Sequence, residues 1–332
     1  MINKYIFFRT DRIGDFLLSA ILIKGIKRSD KNSFITVVAS KKNFSYIDNF
    51  DFIDEVILFP DSYFKKFVFY LRFFLKKFYL IGLLDGKKRS LYFSFLTRSK
   101  FRFLFTYKKF YKIFFNSFFT QIYFDQDFNN KVSEIKNMLG SINYNLNKED
   151  FKTINKSLVS SRNLDIPSSK NYTLLHLDEK WIFNDYIQSY KSIEPASEVL
   201  LINFLDQLIQ KTKNDVCIST GNLPNKFSNY FKKNFEKNKS NHYEYKISGK
   251  VIHFYDNLTF LELEKLILFS NLIISCHGAA THVAASFNIK IIDIIDHSEE
   301  VFFTKWTAHF NKYQKLKRNE FIQLSKNIIE LI

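Results

Sequence analysis

Short apolar segments alternate with longer amphipathic ones along this 332-residue chain, and that alternation limits the fold more than any other feature. Residues 4–8 (apolar over 5–8), 34–39, 56–59 and 80–84 read as strands, with a helix predicted over 16–28. The strands are apolar on both of their alternating faces, as strands covered by helices on both sides are. A second series predicts strands at 172–177, 215–219, 250–253, 272–275 and 290–295. Helices are predicted at 196–212, 260–269, 281–287 and 320–332. Strands alternating with helices imply parallel sheets with right-handed crossovers. The series meet in a polar stretch near 150–170 that holds Pro167-Ser168-Ser169. The expected organisation is therefore two Rossmann-like α/β domains, 1–165 and 166–332, of ordinary domain size.

Composition excludes some classes. Hydrophobic residues make up 46%, enough for a large core, so global disorder is excluded. Two cysteines, Cys217 and Cys276, make neither a disulfide framework nor a zinc site and suit a reducing compartment. The apolar start is too short for a signal peptide, and no uncharged apolar run reaches the roughly 18 residues of a spanning helix. A cytoplasmic protein is expected. The net charge of +16 favours nucleic acid, anionic lipid or phosphorylated small molecules as partners. Most of that charge lies in residues 62–123, where fourteen Lys or Arg face one acid, Asp85, among many Phe and Tyr. Amphipathic helices with solvated basic faces would explain it. So would a face resting on an anionic membrane, or one stacking on single-stranded nucleic acid.

Three stretches carry candidate chemistry. Arg9-Thr10-Asp11-Arg12-Ile13-Gly14-Asp15 follows the first strand and opens the first helix. Asp15 stands at the carboxyl end of a parallel strand, where open α/β sheets place ligands. It can stabilise the helix as a first-turn acid, or accept a proton from a sugar hydroxyl. Gly14 permits close backbone approach, and Arg9 and Arg12 supply cations. The turn His277-Gly278-Ala279-Ala280-Thr281-His282 joins a strand to a helix whose first N–H groups can hold a diphosphate. The Thr281 hydroxyl and a His282 ring N–H are further donors; a plain corner with His282 in the core is the other reading. In the third stretch, His176 closes a strand, Lys180 can meet a phosphate, and Trp181 reads as a packing anchor. Gly221 and Asn222 end another strand and can border a nucleotide. Lys87 and Arg89 follow Asp85-Gly86 and can hold an anionic acceptor, or merely solvate a turn.

In this order the motifs resemble glycosyltransferase family 9, the bacterial ADP-heptose:lipopolysaccharide heptosyltransferases. The resemblance spans nearly the whole chain, and the Arg9-to-Asp15 segment is its most specific part. It implies a GT-B fold, two Rossmann-like domains with parallel sheets facing an interdomain cleft. The first would bind the acceptor through Arg9, Arg12, Gly14, Lys87 and Arg89. The second would bind a nucleotide diphosphate sugar, ADP-heptose by family default, through His176, Lys180, Gly221, Asn222, His277, Gly278, Ala279, Thr281 and His282. It further implies inverting transfer without metal or cofactor, with Asp15 as general base and Lys180, Thr281, His282 and the Gly278-Ala279 backbone stabilising the leaving diphosphate. The acceptor would be a lipopolysaccharide-type or other membrane-anchored glycan. The protein would sit peripherally on the inner face of the cytoplasmic membrane, in contact with anionic lipid and not with nucleic acid. The chain departs from the pattern where His277 replaces an acid, where Ala279 replaces a glycine, and where no acid follows Gly221. Those departures keep a second reading open, a non-catalytic GT-B-like protein that binds a nucleotide sugar or an anionic membrane.

Overall fold

The computed structural model describes residues 2–124, 130–167, 170–182, 193–221, 226–239, 241–247, 249–296, 298 and 300–332. The chain forms two compact units, Met1–Thr153 and Ile154–Ile332. The division falls before the expected 165/166 because residues 154–165 pack on the second unit. The Ile154 amide donates to Ser286 Oγ at 3.2 Å, Arg162 donates to the Leu261 carbonyl at 2.7 Å, and Tyr255 donates to the Asp165 carbonyl at 3.0 Å.

In the first unit the described strands are β1 (Asn3–Arg9), β2 (Ser33–Ala39), β3 (Glu55–Leu58), β4 (Lys77–Leu83), β5 (Arg98–Thr106) and β6 (Gln121–Phe124). They form one parallel sheet in the order β3-β2-β1-β4-β5-β6. Winding runs outward from β1 toward β3, then crosses back to β4 and continues to β6. The loops after β1 and β4 therefore part from each other, which is the switch point where α/β sheets leave room for a ligand. The helix Ile13–Ser29 follows β1, carries Asp15 in its first turn and ends on Lys27 and Arg28, in accord with its dipole.

Segment 62–123 is not helical throughout. It holds β4, β5 and part of β6 as well as the helices Tyr63–Phe73, Lys88–Leu96 and Lys109–Phe114. The cations of β5 obscure the strand in the sequence. Arg102 is tolerated because its guanidinium lies 4.4 Å from the Phe118 ring centroid and donates to the Thr97 carbonyl at 3.1 Å. Phe69, Phe73, Phe93, Tyr111 and Phe119 from these helices and loops pack with Ile6, Phe8, Ile81 and Leu104 of the sheet in one core.

In the second unit the described strands are β7 (Tyr172–Leu177), β8 (Val216–Thr220), β9 (Glu236–Lys239), β10 (His242–Ile247), β11 (Lys250–Tyr255), β12 (Ser270–Cys276), β13 (Lys290–Ile295) and β14 (Tyr313–Lys317). Their order is β14-β13-β12-β7-β8-β11-β10-β9. The sheet is parallel from β14 to β11, and β10 and β9 extend it as an antiparallel pair. Its switch point lies between β7 and β12. Leu175, Ile218, Ile274 and Ile292 from four strands meet Trp181, Phe204, Leu208 and Leu324 in the core. No helix among the described residues is long and apolar enough to cross a membrane.

Candidate functional site

Each unit gathers expected site residues at the switch point of its own sheet. In the first, the loops after β1 and β4 bring Arg9, Asp11, Asp15, Lys87 and Arg89 around Thr10 and Asp85. Arg9 is nearly buried and fully engaged. Its guanidinium donates to the Asp11 carboxylate at 2.9 Å, to the Asp15 carbonyl at 3.1 Å and to the Leu84 carbonyl. It fixes the loop and is not a free cation for a ligand. Asp85 is buried and takes the Thr10 hydroxyl at 2.5 Å, the Ser90 hydroxyl and the Lys87 amide. Lys87 Nζ donates to the Thr10 carbonyl at 3.1 Å, and burial holds its pKa below the usual lysine range. Arg89 donates to the Thr10 hydroxyl and lies 4.8 Å from the Phe59 ring centroid. Arg12 is the exposed N-cap of the helix, and Gly14 and Asp15 are half-buried in its first turn. The Asp15 carbonyl is tied down by Arg9 and by the Ser19 hydroxyl at 3.1 Å.

Sequence reasoning missed Asp11 and the organising role of Asp85. Burial pushes the Asp11 pKa up to about 6 against the pull of Arg9, with Asp15 and Asp85 adding to the rise. Its Oδ1 is buried with no hydrogen-bond partner among the described residues.

In the second unit the loops after β7 and β12 meet. His176 is the penultimate residue of β7, and its Nδ1 lies 3.0 Å from Ser219 Oγ on β8. Burial lowers its pKa to about 4, so the ring is neutral at neutral pH. Asp178 caps the short turn Glu179–Trp181 by accepting the Lys180 amide at 3.1 Å, and it pairs with Lys180 Nζ. Burial alone would lower the Lys180 pKa, but the Asp178 charge and hydrogen bond outweigh it and leave the ammonium held above its usual range. Trp181 is an anchor, fully buried and donating to the His176 carbonyl at 2.9 Å. Arg318, just after β14, pins this turn by donating to the Lys180 carbonyl at 2.6 Å and the Trp181 carbonyl at 3.2 Å. Burial pushes its pKa down to about 9. The sequence conceals it, because β14, Tyr313–Lys317, is mostly polar and only Leu316 in it is buried.

From the other side, β12 delivers Gly278 in extended conformation, φ 173°, to the start of the helix Ala279–Phe287. A Cβ on Gly278 would lie 2.5 Å from Lys180 Nζ, so only glycine lets the ammonium sit against this backbone. A Cβ on Gly221 would likewise lie 2.7 Å from a Glu179 carboxylate oxygen. A carboxylate from a different loop thus lies beside Gly221, although no acid follows it in the chain. Asn222 lies outside the described residues. His277 Nδ1 lies 2.7 Å from Asp293 Oδ2, which also accepts the Tyr313 hydroxyl at 2.9 Å. A buried carboxylate thus reaches this turn from Asp293 on the neighbouring β13.

Two expected donors are placed otherwise. The Thr281 hydroxyl is spent on the Gly278 carbonyl at 2.8 Å, and the residue is fully buried. The His282 ring packs in an aromatic cluster, 5.1 Å from Phe310 and 5.5 Å from His277 between centroids, and burial drives its pKa well down. What the two loops enclose is a cavity of about 270 Å³. Its polar wall is His176, Asp178, Glu179, Lys180, Thr220 and Gly221, its apolar wall Leu258, Phe260 and Leu263, and Ala279 and Ala280 close it. Those two alanines begin a helix, where backbone N–H groups lack intrahelical acceptors. Beside an apolar wall the cavity therefore offers the Lys180 ammonium, paired with Asp178, the Glu179 carboxylate and the first backbone N–H groups of a helix, a combination that suits a phosphorylated ligand with hydroxyls and a planar apolar part.

No protein-family model matches the sequence, and no curated protein matches it. Solved structures do match, across nearly the whole chain. The glycosyl transferase family 9 protein of Veillonella parvula DSM 2008 is 12% identical, with a TM-score of 0.63 over 99% of this chain and 90% of that one. The E. coli heptosyltransferase WaaC, solved with ADP, is 10% identical, with a TM-score of 0.65 over 99% and 98%. A putative UDP-N-acetylglucosamine 2-epimerase from Listeria monocytogenes is 10% identical, with a TM-score of 0.53 over 100% and 88%. At these identities the likeness is one of fold, and the fold is the GT-B architecture that the motifs implied. A transferase and an epimerase share it, so the reaction has to be argued from the site.

Proposed function

We propose that this protein is an inverting, metal-independent glycosyltransferase of the family 9 type. It moves a sugar, heptose by family default, from a nucleotide diphosphate to a membrane-associated glycan. The observation that carries this reading is the Lys180 ammonium packed on the Gly278 backbone at the start of the helix Ala279–Phe287. Lys180 and the Ala279 and Ala280 amides hold the diphosphate, the apolar wall takes the base, and Glu179 accepts from ribose hydroxyls. Asp15 takes the proton from the acceptor hydroxyl. That oxygen attacks the anomeric carbon, and the bond from carbon to the diphosphate oxygen breaks. The charge arriving on the diphosphate meets donors already in place, so little reorganisation is needed. His282 supports the turn and does not donate to the ligand.

Asp15→Asn should lower turnover by roughly 10²–10⁴-fold, with stabilisation by ADP in a thermal-shift assay unchanged. Undiminished turnover overturns the base. Failure of every nucleoside diphosphate tested, ADP and UDP included, to stabilise the wild type overturns the donor site.

The aromatic and basic segment supports a membrane-bound acceptor. On the helix Tyr63–Phe73, Tyr63 is 90% and Phe64 75% exposed, and on Lys109–Phe114, Ile113 is 65% exposed. Lys65, Arg72, Lys109 and Lys112 stand exposed among them. Both helices pack on the same side of the first sheet, against one core. Rings at headgroup depth with cations beside them fit an anionic bilayer, at about 1 kcal/mol per cation near the surface. The protein should co-sediment with vesicles rich in phosphatidylglycerol, and Phe64→Ser with Ile113→Ser should release it. Equal binding to neutral vesicles removes the electrostatic part of this reading.

A further inference from the structure

The antiparallel edge of the second sheet carries a cluster unconnected with the pocket at the switch point. In the β10–β11 ladder, Glu244 lies directly opposite His253, and His242 opposite Tyr255. Residues two apart on a strand share a face, so all four side chains are on one side. Three donor atoms converge there. His242 Nε2 is 3.1 Å from His253 Nδ1, His242 Nε2 is 3.6 Å from Glu244 Oε1, and His253 Nδ1 is 3.4 Å from that same oxygen. A tetrahedral ion with ligands at about 2.0–2.1 Å sets neighbouring ligand atoms about 3.3–3.4 Å apart. The observed triangle brackets that edge length.

The donors are also held from behind. The His242 ring stacks on Tyr255 at 4.5 Å between centroids and 7° between planes, and Tyr255 is itself fixed by donating to the Asp165 carbonyl at 3.0 Å. From β9, Asn238 Nδ2 donates to Glu244 Oε1 at 2.9 Å, orienting the carboxylate. Both histidines are only 7% exposed, while the Glu244 side chain is 25% exposed and opens the cluster to solvent on one side. Ligands oriented by an outer layer of hydrogen bonds and stacking are the mark of a built metal site.

We propose that His242, Glu244 and His253 bind one divalent transition-metal ion, zinc by ligand chemistry, with water completing the tetrahedron. Two imidazoles and one carboxylate suit Zn²⁺, whereas Mg²⁺ and Ca²⁺ prefer oxygen ligands. The ion would clip β10 to β11, one strand in from the β9 edge, where the sheet turns from parallel to antiparallel. This site lies apart from the transfer chemistry and does not depend on it.

The test uses the full-length protein, stripped with chelator and titrated with zinc against a chromophoric competitor. One equivalent should bind at micromolar Kd or tighter. The apparent Tm should rise with free zinc, as it must for a ligand that binds only the native state. Cobalt should give the visible absorption of a tetrahedral nitrogen and oxygen site, without a sulfur charge-transfer band. His253→Gln should weaken binding at least 100-fold. Glu244→Gln, at a more exposed position, provides the same test should the histidine variant fold poorly, and it should weaken binding at least tenfold. Binding no tighter than millimolar, or stoichiometric binding undiminished in both variants, overturns the proposal. A sulfur band does the same, because it would assign the ion to Cys217 or Cys276.

Discussion

Two strand-to-helix junctions, β1 into Ile13–Ser29 and β12 into Ala279–Phe287, occupy equivalent places at the switch points of their sheets and are furnished in opposite ways. The first puts a carboxylate, Asp15, in the first turn of its helix, and holds that residue's carbonyl with a guanidinium, Arg9, that is itself paired with a second acid, Asp11. The second has no acid in the first turn of its helix and places an ammonium against bare glycine backbone. Under the proposed function, one geometry would serve two opposite demands. A junction that keeps its own acid can receive a proton, and one that leaves its amides uncovered can receive an anion.

The contrast can be broken by moving charge. The largest effect belongs to Asp15→Asn, which should reduce kcat by roughly 10²–10⁴-fold and leave nucleotide Kd alone. Lys180→Met should do the reverse, weakening nucleoside diphosphate binding about 10–100-fold through loss of a charge-assisted contact, as read by calorimetry. Acidification sharpens the comparison. His176 is held near pKa 4 against an unfolded value near 6.5, so the stability it contributes is complete above pH 6.5 and lost as pH falls toward 4. For Asp11 the sign is opposite, since a carboxyl raised to about 6 is relieved by taking up its proton between pH 6 and 4. Hydrogen exchange at pH 5 should therefore loosen residues 172–182 before residues 3–16, by about 2 kcal/mol from His176 alone. Simultaneous loosening would show that the His176 and Asp11 segments do not respond to acid separately. The smallest effect is Gly278→Ala. Its Cβ meets only the far end of a flexible side chain, so the fold should survive and nucleotide Kd rise about 3–10-fold, from displacement of Lys180.

Strands buried on both faces were legible in the sequence because they are mostly apolar; residues 5–8, 172–177 and 290–295 lie inside β1, β7 and β13, and the polar residues Thr173, His176 and Asp293 within them are buried. β5 was not, since its cations read as solvated while aromatic rings and carbonyls were there to receive them. The strict alternation in His242-Tyr243-Glu244-Tyr245 did carry a strand signal, hidden among parallel strands that do not alternate. At the sites, glycines and the charges beside them were legible as local pattern. Asp85, Asp293 and Arg318 were not, because each reaches its partner from a distant stretch of chain and only the sheet order brings them together.

The all-parallel first sheet has a consequence during synthesis. β1 lies between β2 and β4, and its pairing with β4 needs residues 80–83. At roughly 5–20 residues per second, the ribosome takes several seconds to deliver that flank after β1 has emerged. Through that interval Tyr5-Ile6-Phe7-Phe8 keeps one edge without its strand partner, a margin open to other chains until β4 arrives.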